Sequence, residues 1–333
     1  MNTITIPSDI VMRPARDGEQ QAIAAMLHAC ERAYLGTEQT PFSATLEWIH
    51  TTWTTGGFDL EADSLVAVTA DEQIVGYVTT WRSEDEPHRM VAWPRIHPDH
   101  RGKGLSTWML RWAERRARQI AATLPEDQEI LLFSWVENVD GAAKEILARE
   151  QFLPERYWWQ MEIQMEAAPP APTWPDGMRV RTFMPGQDEQ TVHQALAEAF
   201  STNGDEPYSS FEEWLRYGVE SESFDPALWF LAVEGNDEIA GVILCELRTD
   251  SNRGWISEAA VRPRWRKRGL GQALLYHAFG EFYQRNTHKC ALAVDSANPS
   301  GATRLYERVG MHANNHVEIQ YKKVLRAARK QHA

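Results

Sequence analysis

The stretch WRKRGLGQALL, starting at Trp265, sets Arg266, Gly269 and Gly271 in the spacing R-x-x-G-x-G at the mouth of an apolar, helix-like run. Residues of these types in this order suit anion binding. The first N–H groups of a helix have no intrahelical partner and carry a partial positive charge. Glycine removes the Cβ atoms that would hold a phosphate away from those groups. Arg266, Lys267 and Arg268 add positive charge, and Leu270 and Gly271 continue the backbone into the helix. A plain helix start with solvated charges would use the same residues. The strand-like AAV before the stretch and the helix-like run after it favour a phosphate cradle. The shape recurs earlier as HRGKGLSTWML, starting at His100, where Arg101, Gly102, Lys103 and Gly104 are kept but Ser106 replaces the last glycine.

That recurrence belongs to a repeat spanning most of the chain. LVAVTADEQIVGYV (from Leu65) aligns with FLAVEGNDEIAGVI (from Phe230), and HPDHRGKGLS with RPRWRKRGLG, both at an offset of 165. Leu46-Glu47-Trp48 and Glu212-Glu213-Trp214 agree at 166, and ENVDG and ANPSG at 160. Between the copies lies AAPPAPTWPDG, whose four prolines fix φ and remove N–H donors, as in a stiff linker. The expected division is residues 1–166, a linker at 167–177, and residues 178–333. Each copy reads as a short strand, two helix-like runs, a hairpin, a strand leading into the glycine stretch, a long helix, and a strand, helix and strand. In the second copy Ser210 is an N-cap candidate before FEEWLRYGVE, and HVEIQYKKV alternates as the last strand. The fold class is α+β: a mixed, mostly antiparallel sheet flanked by helices, twice.

Composition narrows the function classes. The chain has 333 residues, is 43% hydrophobic and 24% charged, and is long enough for two ordinary cores. No window approaches the roughly 18 consecutive apolar residues that span a bilayer, and the N-terminus lacks the features of a secretory signal. No membrane partner is expected. Cys30, Cys245 and Cys290 are odd in number and widely spaced, which fits neither a disulfide framework nor a metal site and suits a reducing cytoplasm. A formal net charge of −13 disfavours nucleic acid and favours a cationic or amine-bearing small molecule. Only the tail LRAARKQHA is basic, too little for a DNA-binding regulator.

AAVRPRWRKRGLGQALL resembles motif A of the GNAT acetyltransferase superfamily, the R/Q-x-x-G-x-G/A loop that binds the pyrophosphate of an acyl-CoA. LAVDSANPSGATRLYERVGM resembles motif B, with its Asn, Leu-Tyr and Gly landmarks. The tandem arrangement with an altered first copy resembles mycothiol-synthase-like proteins. The resemblance implies direct transfer of acetyl from acetyl-CoA, as cosubstrate, to an amine, with no metal and no covalent enzyme intermediate. An alkylammonium must lose a proton before it attacks, and Glu258 in WISEAAV is the candidate general base, directly or through water. Tyr306 matches the family's tyrosine general acid for the CoA thiolate, and Asn298 its motif-B asparagine, a position that a plain helix cap would also fill. The backbone around Ala260 and Val261 is implied to pair with pantetheine amides by strand addition, where the sheet splays.

The first copy fails the same tests. Ser106 crowds the cradle, Trp93 falls where Glu258 stands, and Ile146 or Leu147 falls where Tyr306 stands. Its cradle of Arg101, Gly102, Lys103 and Gly104 persists, so it is expected to be catalytically silent, whether or not it binds acetyl-CoA. Acceptor binding is expected from STNGDEPYSSFEEW, with Asp205, Glu206 and Tyr208, although a solvated loop would look the same. Asp295 is a second acceptor candidate, with a turn role as the alternative. The expected activity is N-acetylation of a small-molecule amine by the second copy, in the cytoplasm, as a monomer or homodimer. The alternatives are a non-catalytic acetyl-CoA sensor and a mycothiol-type or antibiotic-modifying enzyme.

Overall fold

The structure is a computed structural model that describes residues 6–36, 40–201, 208–297 and 301–328. In chain order the first half runs β1 (Ile10–Arg13), α1 (Gln20–Leu35), α2 (Phe42–Thr54), α3 (Leu60–Asp63), β2 (Ser64–Thr69), β3 (Ile74–Arg82), β4 (Arg89–Ala92), β5 (Arg95–Ile96), α4 (Leu105–Ala121), β6 (Ile130–Glu137), α5 (Gly141–Arg149) and β7 (Leu153–Gln164). The second half runs β8 (Met178–Thr182), α6 (Glu189–Phe200), α7 (Phe211–Trp214), β9 (Trp229–Glu234), β10 (Glu238–Arg248), β11 (Arg253–Val261), α8 (Leu270–Gln284), β12 (Lys289–Asp295), α9 (Ala302–Arg308) and β13 (His312–Arg326). No described helix is long and apolar enough to cross a membrane.

The chain forms two compact units, and they are not its two sequence halves. Unit 1 comprises Met1–Tyr157 and Val317–Ala333, and unit 2 comprises Trp158–His316. The sheet of unit 1 runs β1-β2-β3-β4-β6 and closes with β13, with β5 beside β3. There Glu318 to Arg326 lie antiparallel to Glu137 to Ile130. The sheet of unit 2 runs β7-β12-β11-β10-β9-β8, and begins with Trp158 to Gln164 antiparallel to Asp295 to Lys289. The expected division at 1–166 and 178–333 is therefore corrected: each unit takes its edge strand from the other half of the sequence. HVEIQYKKV is a strand as expected, but Ile319 and Tyr321 are buried in the core of unit 1. The proline-rich segment carries neither helix nor strand.

In unit 2 the sheet is covered on one face by α8 and α9 and on the other by α6 and α7. Helix α8 buries Leu270, Ala273, Leu274, Leu275, Ala278, Phe279 and Phe282, spaced three or four apart so that they form one stripe. Each large side chain so buried contributes about 1.5–3 kcal/mol. A bulge at Ala240 in β10 directs that residue's carbonyl to the N–H of Arg262, at 3.0 Å, at the entrance to the glycine stretch. Unit 1 repeats the device, with the carbonyl of Val75 accepting from the N–H of His97 at 2.8 Å.

Candidate active site

The glycine stretch of unit 2 is a strand–turn–helix junction. Lys267 and Gly269 both have positive φ, at 61° and 86°, and Gly269 is the N-cap of α8. Among the described residues no side chain caps this helix, which leaves its first N–H groups uncovered by them. A Cβ on Gly271 would meet Leu305 Cδ2 of α9 at 3.0 Å, which is tight enough to displace one of them. Arg266 differs from its expected part. Its guanidinium donates to the carbonyl of Val261 at 2.9 Å and to that of Ala199 at 2.6 Å. It braces the loop against β11 and α6 instead of standing ready as a loose phosphate ligand. Arg268 lies 3.7 Å from Glu234, and Glu234 also accepts from the Trp265 indole at 2.9 Å.

Strands β11 and β12 run parallel only from Arg253/Lys289 to Ile256/Leu292. Beyond that point β11 pairs with β10 alone among the described residues, through Glu258, Ala259, Ala260 and Val261. One edge of this segment is thus open, and a bulge at Ser257 turns it immediately before Glu258. The uncapped N-terminus of α8 and this open edge fit the two halves of an acyl-CoA: a pyrophosphate on the helix, and an amide-bearing arm laid along the strand.

Glu258 lies on this edge, half-buried. Burial pushes its carboxyl up to about 7, while hydrogen bonds from Tyr208 and Trp214 pull the other way. The Tyr208 hydroxyl donates to the carboxylate, 2.7 Å from each oxygen. Tyr208 is itself fixed by a stacked Phe200 ring at 5.5 Å and a tilted His193 ring at 5.4 Å. The His193 Nε2 is 2.8 Å from the Ser209 carbonyl. Tyr208, expected to touch the acceptor, thus acts on Glu258. That contact spans fifty positions in the chain, and no local pattern could disclose it.

Tyr306 is buried on α9, against the same core as α8. Burial pushes its phenol up to about 12, and among the described residues its hydroxyl has no hydrogen-bond partner. A group with that pKa stays protonated at neutral pH and can donate. Asp295 takes the turn role, its Oδ1 accepting from the N–H of Ala297 at 2.9 Å. Asn298, Asp205 and Glu206 lie outside the described residues. Beside Glu258 opens a cavity of about 240 Å³, lined by Glu213, Trp214, Tyr217, Ser223, Trp229 and Glu246 among others. One wall comes from residues 215–219, a π-helical turn that follows α7, a feature often found at functional sites. Tyr217 and Glu246 escaped the sequence reading, and Glu213 lies in the stretch expected to bind the acceptor without being singled out there. Glu213 and Tyr217 sit in a helical run that reads as amphipathic, and Glu246 lies on a hairpin strand.

Unit 1 has the same frame with different side chains. Gly102 and Gly104 have φ of 75° and 81°, and Arg101 Nε donates to the carbonyl of Ile96 at 3.3 Å, as Arg266 does to Val261. The pairings of Tyr77 with Arg95 and of Val242 with Ala260 put Arg95 at the Ala260 position and Trp93 at the Glu258 position. The N–H of Phe152 bonds Leu147, as that of Met311 bonds Tyr306, which assigns the tyrosine position to Leu147. Arg95 donates to the carbonyl of Trp135 on β6 at 3.2 Å, and its guanidinium stacks 3.7 Å above Trp93. The gap that stays open in unit 2 is bridged here. Arg101, Gly102, Gly104 and Ser106 face a cavity of about 320 Å³.

Residues 23–126 and 190–311 each match the model of the Acetyltransferase (GNAT) family. The mycothiol acetyltransferase of Thermobispora bispora is 30% identical over 220 residues, covering 65% of this chain and 70% of that one. That of Catenulispora acidiphila is 26% identical over 310 residues, covering 90% and 94%. The crystal structure of a GCN5-related N-acetyltransferase from Sphaerobacter thermophilus superposes with a TM-score of 0.79 at 32% identity, over 98% of both chains.

Proposed function

Because the chain belongs to the GNAT acetyltransferase family, we propose that unit 2 moves an acetyl group from acetyl-CoA directly to a small-molecule amine. The chain is a tandem N-acetyltransferase. The observation that carries the reading is the Glu258 carboxyl, raised to about 7 and held at 2.7 Å by Tyr208 on the open edge of β11. A base with a pKa near the working pH is unprotonated often enough to act and basic enough to take a proton.

Acetyl-CoA supplies the acetyl group when bound. The N–H groups of Gly269, Leu270 and Gly271 receive its pyrophosphate, with Lys267 and Arg268 as nearby cations. The strand edge at Ala260 and Val261 orients its arm. Glu258 takes the ammonium proton from the acceptor, directly or through water, so that the amine nitrogen can form the new C–N bond. As the C–S bond breaks, Tyr306 gives its proton to the departing thiolate, and the second proton that the nitrogen sheds in becoming an amide restores the phenol. Unit 1 presents neither base nor acid and is read as catalytically silent.

The test measures release of free CoA from acetyl-CoA against a panel of amino sugars, polyamines, aminoglycosides, cysteinyl compounds and peptide N-termini. An acceptor that the protein acetylates should lose about 10²–10⁴-fold in kcat with Tyr306→Phe, the usual contribution of a positioned proton donor. A Tyr306→Phe protein that matches wild type on an acetylated acceptor would put the proton donor elsewhere, and acetyl-CoA binding without acetylation of any acceptor would favour an acetyl-CoA sensor. The relatives named mycothiol acetyltransferase, at 26–30% identity, support a narrower second reading, in which the acceptor is the amine those enzymes use.

A further inference from the structure

The cavity beside Glu258 has an uneven chemistry. Its described lining includes three carboxylates (Glu213, Glu246 and Glu258), three serines (Ser209, Ser223 and Ser257) and the aromatic side chains of Trp214, Tyr217, Phe224 and Trp229. No Lys, Arg or His is among them. Aromatic faces and carboxylates both attract cations. An anionic group brought into the same space would find like charge and no described lining cation to receive it.

Glu246 is the fixed point of this lining. Ser223 Oγ donates to its Oε2 at 3.1 Å and Arg248 Nε to its Oε1 at 2.9 Å. Arg248 is held in turn 4.0 Å above the Trp255 ring, and it does not line the cavity. Leu244 pairs with Glu258 and Glu246 with Trp255, so Glu246 stands two residues along β10 from the cross-strand partner of the base, on the same face of the sheet. Two strand residues span about 7 Å and neighbouring strands lie about 4.8 Å apart, which gives a diagonal of about 8 Å.

We infer that the acceptor is an amine bearing no anionic group, with a second cationic or hydrogen-bond-donating end that rests on Glu246 while the attacked nitrogen rests by Glu258. The inference depends on the proposed transfer reaction and narrows its acceptor class. Diamines of four or five carbons match the spacing. The amino acids that differ from them only by a carboxylate do not match the charge.

The experiment compares putrescine with ornithine, and cadaverine with lysine, in the full chain. It uses steady-state CoA release, and calorimetric titration of the same amines into the protein with CoA. The diamine of each pair should exceed its amino acid by about tenfold or more in kcat/KM, the scale of an unpaired like charge in a partly dry site. Glu246→Gln should shrink that preference severalfold and leave the KM for acetyl-CoA unchanged. Equal or better use of the amino acids would overturn the inference, since Arg248 would then be receiving their carboxylate. An unchanged preference in Glu246→Gln would overturn the place given to Glu246. If no amine is acetylated but calorimetry shows the diamines binding tighter, the inference stands and the transfer reading falls. If calorimetry shows no preference either, both fall.

Discussion

Unit 1 and unit 2 share a backbone and differ in what it presents. Both carry the bulge whose carbonyl accepts from the loop, the positive-φ turn, and the arginine tied to the last carbonyl of the preceding strand. At the positions that would do chemistry they diverge. Trp93 stands for Glu258 and packs edge-on against Trp48 at 5.6 Å, where unit 2 has Trp214 bonded to the carboxylate. Leu147 stands for Tyr306, Ser106 for Gly271 and Arg95 for Ala260. The frame is stabilised by main-chain hydrogen bonds and core burial, which tolerate these exchanges. The chemistry depends on a few side chains, which do not. A fold-level match therefore says nothing of whether a given copy works.

The comparison breaks most visibly at the base. Glu258→Gln should lower kcat/KM by about 10²–10⁴-fold at saturating acetyl-CoA, the contribution of a positioned general base. A loss under threefold would put the base elsewhere. The cradle comes next. Gly271→Ser copies unit 1 into unit 2 and drives a Cβ to 3.0 Å from Leu305. The KM for acetyl-CoA should rise about tenfold, equivalent to some 1.4 kcal/mol, whereas Ser106→Gly should leave turnover unaltered.

Tyr208 gives a smaller effect with a definite sign. Activity needs the charged carboxylate, so kcat/KM should rise with pH through about 7. The Tyr208 hydroxyl stabilises that charged form, and Tyr208→Phe should move the rising limb to higher pH with little change in the alkaline plateau. The same carboxyl costs stability once pH exceeds its unfolded value near 4.5, increasingly up to about 7. Glu258→Gln should therefore raise the melting temperature more at pH 8 than at pH 5. The smallest effect belongs to unit 1, where Trp93→Phe should leave kcat and KM unchanged. Any marked loss there would show that unit 1 takes part in turnover.

How much of this could be read beforehand depends on where the information lies. The repeat at 165, the glycine loops and the helix after each are local, and the structure has them where the spacing places them. Glu258 and Tyr306 could be proposed as base and acid because each sits in a short, recognisable stretch. The bonds of Arg266 to a pair of backbone carbonyls could not be read, because a charge in a sequence does not name its partner. The cavity wall at Glu213, Tyr217 and Glu246 joins residues that meet only once the sheet has formed. The last strand shows the same limit: alternation in HVEIQYKKV announces a strand but is silent about which sheet it enters.

That strand bears on how the protein is made. Ile319 and Tyr321 complete the core of unit 1, and Arg326 caps its far end by donating to the carbonyls of Ala121 and Gln128 at 3.0 and 3.1 Å. A ribosome delivers these residues only after the whole of unit 2. Through most of synthesis the nascent first unit must wait with one β-edge bare, the kind of long-range closure that slows folding and invites misassembly. A gene truncated after the proline-rich segment would encode a polypeptide lacking part of its own core. Selection on either unit therefore acts on both, because each holds a strand that the other half of the reading frame encodes.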